Sequence, residues 1–371
     1  MPNNYEIDIL LNSDNDIQYP YRGRIYSLGI KEPHNRKSIS YQARVFVKRM
    51  LILRKLKHDN QYEASISIIT SANIANVLTK VSGCRTVITE VYMPNERPSF
   101  KEKYIIGSLT STYYNKADRI VAETKAIGAY LINTHRVDPD KIVIIPNSID
   151  VDEINTLAQK QLNDKERDIF NKESTFVTAG RITYQKAHWH LIRAFSKVVQ
   201  YDRSAKLVIF GEGELKEMLI GLVKAYRLEN NVFLHGFTGE LDKYVARCRA
   251  FVMPSMYEGM PTALLQAMAV GVPCIITDFY SGAREVLGDG NTPDSHIQGV
   301  LYTEWGVMCQ MFSGQYHSAE DELEESENVF AYAMIEMLSN KEIYSRYCVA
   351  SRRRSIAFDN KNVIRKWMEI I

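Results

Sequence analysis

Two cations five residues apart, Arg181 and Lys186 in AGRITYQKAHWHLIRAF, and two polar side chains eight residues apart, Glu258 and Gln266 in YEGMPTALLQAMAVGVPCIITD, stand where they could do chemistry. Arg181 and Lys186 follow an apolar run and precede a segment whose Leu191, Ile192 and Phe195 share one helical face. Paired cations at a strand end suit a dianionic diphosphate. The same spacing in isolation is also compatible with two solvated surface charges. Glu258 stands just ahead of an apolar helix and Gln266 on an inward-leaning position within it. An unpaired buried amide or carboxylate costs on the order of 2 kcal/mol or more, so each is expected to have a partner, in the protein or in a ligand. Pro261 fits the first helical position, Gly271 the C-terminal cap and Pro273 the stop beyond it. The segment Gly259, Met260, Pro261, Thr262 and Ala263 then presents free backbone N–H groups at a helix start. Such a terminus with cations nearby binds phosphate.

What must position these residues is an alternation of short apolar runs with longer helical patterns. EIDILL, SISIIT, TVITEV, ADRIVAE and KIVIIPN make one series; after the polar stretch QKQLNDKERDIFNKES, a second comprises TFVTAGR, KLVIFGEG, NVFLHGF, AFVMPS and VPCIITD. Alternation of this kind implies βα units and parallel sheets. A chain of 371 residues also exceeds one ordinary core. The expected fold is therefore α/β, with two doubly wound Rossmann-like domains facing a cleft, residues 1–149 and 150–352, and a last helix, about 353–371, packing back on the first. The strands of the second series run into Gly180, Gly211, Gly213 and Gly236, the last followed by Phe237, and glycine there lets backbone approach a ligand.

Composition narrows the function. With 45% hydrophobic and 24% charged residues and a net charge of +2, nothing invites nucleic acid. The cysteines (Cys84, Cys248, Cys274, Cys309, Cys348) are scattered singly, without a CxxC pair or a histidine at ligand spacing, so neither disulfides nor a zinc site is expected. No apolar run has the length of a membrane span, and MPNNYEIDILL lacks a signal-peptide pattern. The expected location is the cytoplasm.

The ordered set VIIPNSID, GRITYQK, FGEGEL, FLHGF, MPSMYEGMPTALLQAMAVGVPCIITD and SGAREVL resembles the nucleotide-binding half of the retaining glycosyltransferases of family 4, which have the GT-B fold. The resemblance runs from about Tyr62 to the C-terminus and is strongest over residues 141–290. It implies that Arg181 and Lys186 bind the diphosphate of a sugar nucleotide and that Glu258, first of an E-x7-E pair, holds the donor sugar. The second glutamate of that pair binds the ribose hydroxyls; here it is Gln266, a neutral acceptor weaker by roughly 1 kcal/mol. The implied reaction is transfer with retention from a nucleotide sugar, UDP-sugar favoured, to a saccharide or lipid-linked acceptor of bacterial surface polysaccharide synthesis. The cations and the helix start would neutralise the leaving group, so no metal and no cofactor are expected.

The first domain is expected to take the acceptor. YEIDILL resembles the family's second strand, so the first domain is expected to lack the family's first strand with its Gly-rich loop and helix, about 30 residues. In TVITEVYMPNERPS, Glu90 and Asn95 are candidates on the acceptor side; Glu90 at a strand end either meets acceptor or sugar or is a capped loop carboxylate. Asp14, Asn15 and Asp16 form a D-x-D that reads as a turn rather than a metal site. RVFVKRMLILRKLK mixes Lys and Arg with apolar residues and is either a sheet-covering helix with snorkelling cations or a contact with the inner face of a membrane. EDELEESE reads as a solvated helix start, and His188, His190 and His235 as structural histidines. Two other readings stay open: an epimerase of the same fold, and a non-catalytic sugar-nucleotide-binding protein.

Overall fold

A computed structural model describes residues 5–13, 23–30, 39–91, 107–170, 173–279, 281–288 and 295–371. The chain forms two compact units. The first comprises Met1–Glu123, Ile127–Ile145 and Ile364–Ile371, the second Thr124–Ala126 and Pro146–Val363.

In the first unit the elements are β1 (Asp8–Leu11), β2 (Arg24–Ser27), α1 (Ile39–Asn60), β3 (Ala64–Ile68), α2 (Thr70–Leu78), β4 (Arg85–Glu90), α3 (Gly107–Tyr113), β5 (Arg119–Ala122), α4 (Lys125–His135) and β6 (Ile142–Ile144). β1 and β2 pair in parallel with each other, and β3, β4, β5 and β6 form a second parallel sheet in sequence order. Val87, Ile88, Ile120 and Val121 are fully buried, as central parallel strands covered on both faces require. One cation of α1 is drawn into this core: Lys57 Nζ donates to Asn76 Oδ1 at 2.6 Å and to the Asn76 carbonyl at 3.0 Å. Burial pushes its pKa down to about 8.

The second unit contains α5 (Val151–Ala158), α6 (Asp164–Ile169), β7 (Thr175–Ala179), α7 (His188–Tyr201), β8 (Lys206–Phe210), α8 (Lys216–Ala225), β9 (Val232–Gly236), α9 (Leu241–Val245), β10 (Ala250–Met253), α10 (Thr262–Ala269), β11 (Cys274–Thr277), α11 (Gly282–Leu287), β12 (Val300–Tyr302), β13 (Val307–Cys309), α12 (Glu325–Ser339) and α13 (Lys341–Ser355); α14 (Asn360–Met368) begins in this unit, and its residues from Ile364 belong to the first. Its sheet runs β12-β13-β11-β10-β7-β8-β9, parallel except for the edge strand β12. Alternate strand residues feed two cores: Val177, Phe251 and Ile276 join the one that includes α10, and Phe176, Val252 and Ile275 the one that includes α7. Phe195, fully buried, is worth about 3–5 kcal/mol against alanine by the usual cavity argument.

Every apolar run of both series forms a strand. The pair β12–β13 and strand β2 have no counterpart in the sequence reading. β12 and β13 are three residues each, too short for a period-2 pattern to register. The division between units falls at Ile145 rather than 149, and the C-terminal residues that return to the first unit begin at Ile364 rather than near 353. α13 stays in the second unit because its arginines reach α10 and α11: Arg352 donates to the Val270 carbonyl, and Arg354 to the Glu285 and Val286 carbonyls.

Candidate functional site

The strand order creates the site. From β7 the chain steps outward to β8 and β9 on one side, whereas β10 and β11 build the other side, so direction reverses between β7 and β10. Loops leaving those two C-terminal ends diverge, and doubly wound sheets bind ligands in the crevice that opens there. The loop after β7 carries Gly180, Arg181 and a 3-10 turn, Tyr184–Lys186, which ends at Ala187 with φ of 47° before α7 begins. The loop after β10 carries Tyr257, Glu258, Gly259 and Met260 into α10.

These loops are joined to each other. Met256 N donates to the Gln185 carbonyl at 2.8 Å, and Gln185 Nε2 donates to the Tyr257 carbonyl at 2.8 Å and to Glu258 Oε2 at 3.2 Å. Lys186 Nζ donates to Glu258 Oε1 at 2.5 Å, with side chains only 17% and 10% exposed. The partner required for the half-buried Glu258 is therefore Lys186. Arg181 is exposed and has no ion-pair partner among the described residues, so one of the two expected cations is committed within the protein and the other is available. Thr183 Oγ1, His188 Nδ1 and Ser255 Oγ, all in or beside these loops, are buried polar atoms without a described partner. Groups of that kind usually answer to water or a ligand.

The glycines admit backbone, but it is the chain's own. Gly180 N donates to the Phe210 carbonyl, Ile182 N to Glu212 and Gly211 N to Gly236, extending the ladder beyond the sheet. At Gly211, φ of 140° and the nearby Gly180 carbonyl oxygen exclude a side chain. A Cβ at Gly213 would run into Ile182, and one at Gly180 would meet the Lys186 stem. Gly236 is buried, and Phe237 beyond it is 68% exposed, an aromatic face open to a ligand.

α10 begins one residue later than its sequence indicates. Pro261, at φ −78° and ψ 111°, is the N-cap rather than the first helical residue, and its carbonyl accepts from Leu264 N and Leu265 N. Proline has no N–H to offer, so the free donors of this terminus belong to Thr262 and Ala263, with no side chain capping them. Asn147 Nδ2 holds the Met260 carbonyl at 3.1 Å. At the other end Gly271 N bonds to Met268 and Val272 N to Ala267, a Schellman closure with Gly271 at φ 74°.

Gln266 lies one turn into α10, and its Nε2 donates to Asp242 Oδ1 of α9 at 3.2 Å. Asp242 is 4% exposed, and burial, then the charge of Glu153, push its carboxyl up to about 6. Its role was not legible in ELDKYVARC, where one acidic residue among several carries no pattern.

The remaining candidates fall elsewhere. Glu90, at the end of β4 and 6% exposed, accepts a hydrogen bond from Tyr114 Oη at 2.6 Å within the first unit. Asn95, like Asp14, Asn15 and Asp16, lies outside the described residues. His188 is held neutral, burial and the Lys186 charge pushing it down to about 3. His235 is exposed. His190 is fully buried, its Nδ1 2.7 Å from Glu327 Oε1, and Arg193 Nε donates to the same oxygen at 2.8 Å. The acidic run does start a helix, α12, and Glu320, Asp321, Glu322 and Glu325 are exposed, but its last carboxylate is not solvated: Glu327 is fully buried, closing a capping box with Glu324 and pairing with the cation that α7 carries inward. Among the described residues no cluster of three His, Cys, Asp or Glu side chains could hold a metal ion.

Comparison with known proteins agrees with the motifs. Family models described as Glycosyltransferase Family 4 and Glycosyl transferases group 1 match residues 3–153 and 159–304. An uncharacterised glycosyltransferase of Methanocaldococcus jannaschii is 30% identical over 334 residues, 87% of this chain and 82% of the relative. The N-acetylgalactosamine-N,N'-diacetylbacillosaminyl-diphospho-undecaprenol 4-alpha-N-acetylgalactosaminyltransferase of Campylobacter jejuni is 27% identical over 369 residues, 97% of this chain and 90% of the relative. Among solved structures, TarM of S. aureus in complex with fondaparinux, alpha-GlcNAc-glycerol and UDP superimposes with a TM-score of 0.66 at 18% identity, over 88% of this chain. The chain spans 58% of that protein, and the likeness shows the fold. Motif order, the paired α/β units and these matches lead to one conclusion: the chain belongs to the glycosyltransferases of family 4, with the GT-B fold.

Proposed function

We propose that this chain transfers a sugar from a UDP-sugar to a hydroxyl of a saccharide or lipid-linked acceptor in surface-polysaccharide synthesis, with retention and without a metal ion. The observation that carries the reading is the meeting of Lys186 and Glu258 beside Arg181, which has no ion-pair partner among the described residues, and the open start of α10, at the point where strand direction reverses. The names of the Campylobacter relative, which acts on a diphospho-undecaprenol acceptor, and of the UDP complex support the acceptor and donor classes.

In this mechanism the bond between the sugar C1 and the diphosphate oxygen breaks, and its electron pair leaves with UDP. Arg181, Lys186 and the N–H groups of Thr262 and Ala263 take up the developing charge. Glu258 accepts from the sugar hydroxyls, and Gln266 Oε1 from the ribose. The acceptor hydroxyl adds to C1 on the face that UDP vacates, and its proton passes to the departing phosphate oxygen, so no separate protein base is needed.

A lipid-linked acceptor calls for contact with a membrane surface. No described helix is long and apolar enough to cross one. α1 instead presents an exposed row of Arg44, Val47, Lys48, Leu51, Arg54 and Lys55, with Val47 53% and Leu51 67% exposed. That combination of cations and apolar side chains suits the surface of an anionic leaflet.

The test is incubation with UDP-, GDP- and ADP-sugars, with and without an undecaprenyl-diphosphate-linked saccharide and with and without EDTA, following nucleoside diphosphate release and the anomer of the product by NMR. Acceptor-dependent UDP release in EDTA, giving the donor's own anomeric configuration, supports the reading. An inverted product refutes retention, loss of turnover in EDTA refutes metal independence, and interconversion of the donor without acceptor establishes an epimerase.

A further inference from the structure

Gln266 raises a question of orientation. A primary amide offers two N–H donors at one end and a carbonyl oxygen at the other, and only the oxygen can accept from ribose hydroxyls. Thr262–Ala269 contains no ionisable residue, so a charged group that orients the amide must come from another element. The deciding group comes from α9: Asp242, 4% exposed, lies with its Oδ1 3.2 Å from Gln266 Nε2. An ionised carboxylate has only acceptors, so it fixes the nitrogen inward and leaves Oε1 pointing away from the pair.

We propose that Asp242 is the positioning residue for donor-ribose recognition: its buried carboxylate orients the Gln266 amide so that Oε1 receives the ribose hydroxyls. The proposal rests on the donor reading above. It also accounts for the amide in place of the family's glutamate, since a carboxylate at 266 would share this contact with Asp242, and two carboxylates that close do not both ionise readily.

The charged surroundings make the device sensitive to pH. Glu153 of α5 faces Asp242 and opposes its ionisation, as burial does more strongly, which brings its carboxyl up to about 6. The cation next to it in sequence, Lys243 of α9, is engaged elsewhere, with Glu240 at 3.0 Å and Glu166 at 3.6 Å. Below that pH a protonated Asp242 becomes a donor as well as an acceptor, and the amide is no longer held one way round.

The experiment is calorimetric titration of the full chain with UDP and with 2′,3′-dideoxy-UDP, the ratio of the two affinities being the readout. The diphosphate titrates equally in both ligands and cancels in the ratio. The expected wild-type preference for UDP at pH 8 is about tenfold or more, one to two hydrogen bonds. It should shrink toward unity as pH falls from 8 to 5. Asp242→Asn, isosteric and able to turn its own amide, should lower the ratio several-fold at pH 8 with dideoxy-UDP affinity unchanged, and abolish its pH dependence. Gln266→Glu should weaken UDP binding in the wild-type background and strengthen it with Asp242→Asn present, a reversal of sign that a merely structural contact would not produce. A ratio and pH profile untouched by Asp242→Asn overturn this inference while leaving the donor reading intact. Failure of the wild-type chain to bind UDP overturns both.

Discussion

Replacing Glu258 by Gln should separate the two jobs the site assigns to neighbouring side chains. In the structure Lys186 Nζ and Glu258 Oε1 are 2.5 Å apart and both side chains are largely buried, so a diphosphate must draw Lys186 partly away from Glu258. The Coulomb attraction of a pair at that distance is about 6–7 kcal/mol at an effective dielectric of 20, and desolvation offsets most of it, leaving a net on the order of 1 kcal/mol to be given up. Glu258→Gln removes that competition, so UDP alone should bind equally well or up to about fivefold more tightly. The same substitution replaces a charged acceptor for the sugar hydroxyls with a neutral one. Hydrogen bonds to charged groups are worth about 1.5–3 kcal/mol against about 0.5–1.5 for neutral ones, a difference of about 1–1.5 kcal/mol, so kcat/KM with the UDP-sugar should fall roughly 5- to 13-fold. The assay pairs UDP titration with initial rates of acceptor-dependent UDP release. Parallel loss of UDP affinity and turnover by one common factor would refute the assignment, because it would mean that Glu258 acts by holding Lys186 in place and not by holding the sugar.

Three further expectations follow from the same contacts. Glu327→Ala leaves Arg193 and His190 buried without their shared acceptor and should cost about 3–5 kcal/mol, read by urea unfolding; a loss under about 1 kcal/mol would show that the pairing carries no weight. Asp242 has a carboxyl raised from 3.8 to about 6, so the stability it confers is fully present below about pH 4 and lost as pH rises through 6; the charged form at pH 8 then costs up to roughly 3 kcal/mol. Asp242→Asn should accordingly be the more stable protein at pH 8, and an unchanged unfolding midpoint there would contradict the burial argument. Exchanging Lys48 and Leu51 of α1 for glutamate should lower sedimentation with phosphatidylglycerol vesicles at least tenfold without altering UDP affinity, whereas equal vesicle binding would remove α1 as the membrane surface.

The parts legible in sequence were those that rest on local pattern. Strands such as TFVTAGR and AFVMPS are buried on both faces and therefore read as unbroken apolar runs, and Gly271 announces a helix end because that turn needs a left-handed residue. Less legible were features where two distant segments meet. Glu327 looked like one more charge in an acidic run, since nothing in EDELEESE tells which carboxylate will find Arg193, 134 positions away. The start of α10 was misread by one residue because proline is compatible with both the N-cap and the first turn, and only the dihedral angles separate them.

By itself the sequence determined the two α/β units, the polar residues at the second unit's strand ends and, through the order of its motifs, the family. The first two follow from periodicity and spacing, which act over a few residues and survive any detail of packing, and the family from the resemblance of the ordered motifs. The tertiary structure decided the pairings: that Lys186 answers Glu258, that Arg181 stays unpaired among the described residues, and that Gln266 turns its nitrogen to Asp242. Electrostatic partners are chosen by distance in space, and the burial that makes each choice costly to undo exists only once the loops after β7 and β10 and helices α9 and α10 have been brought together.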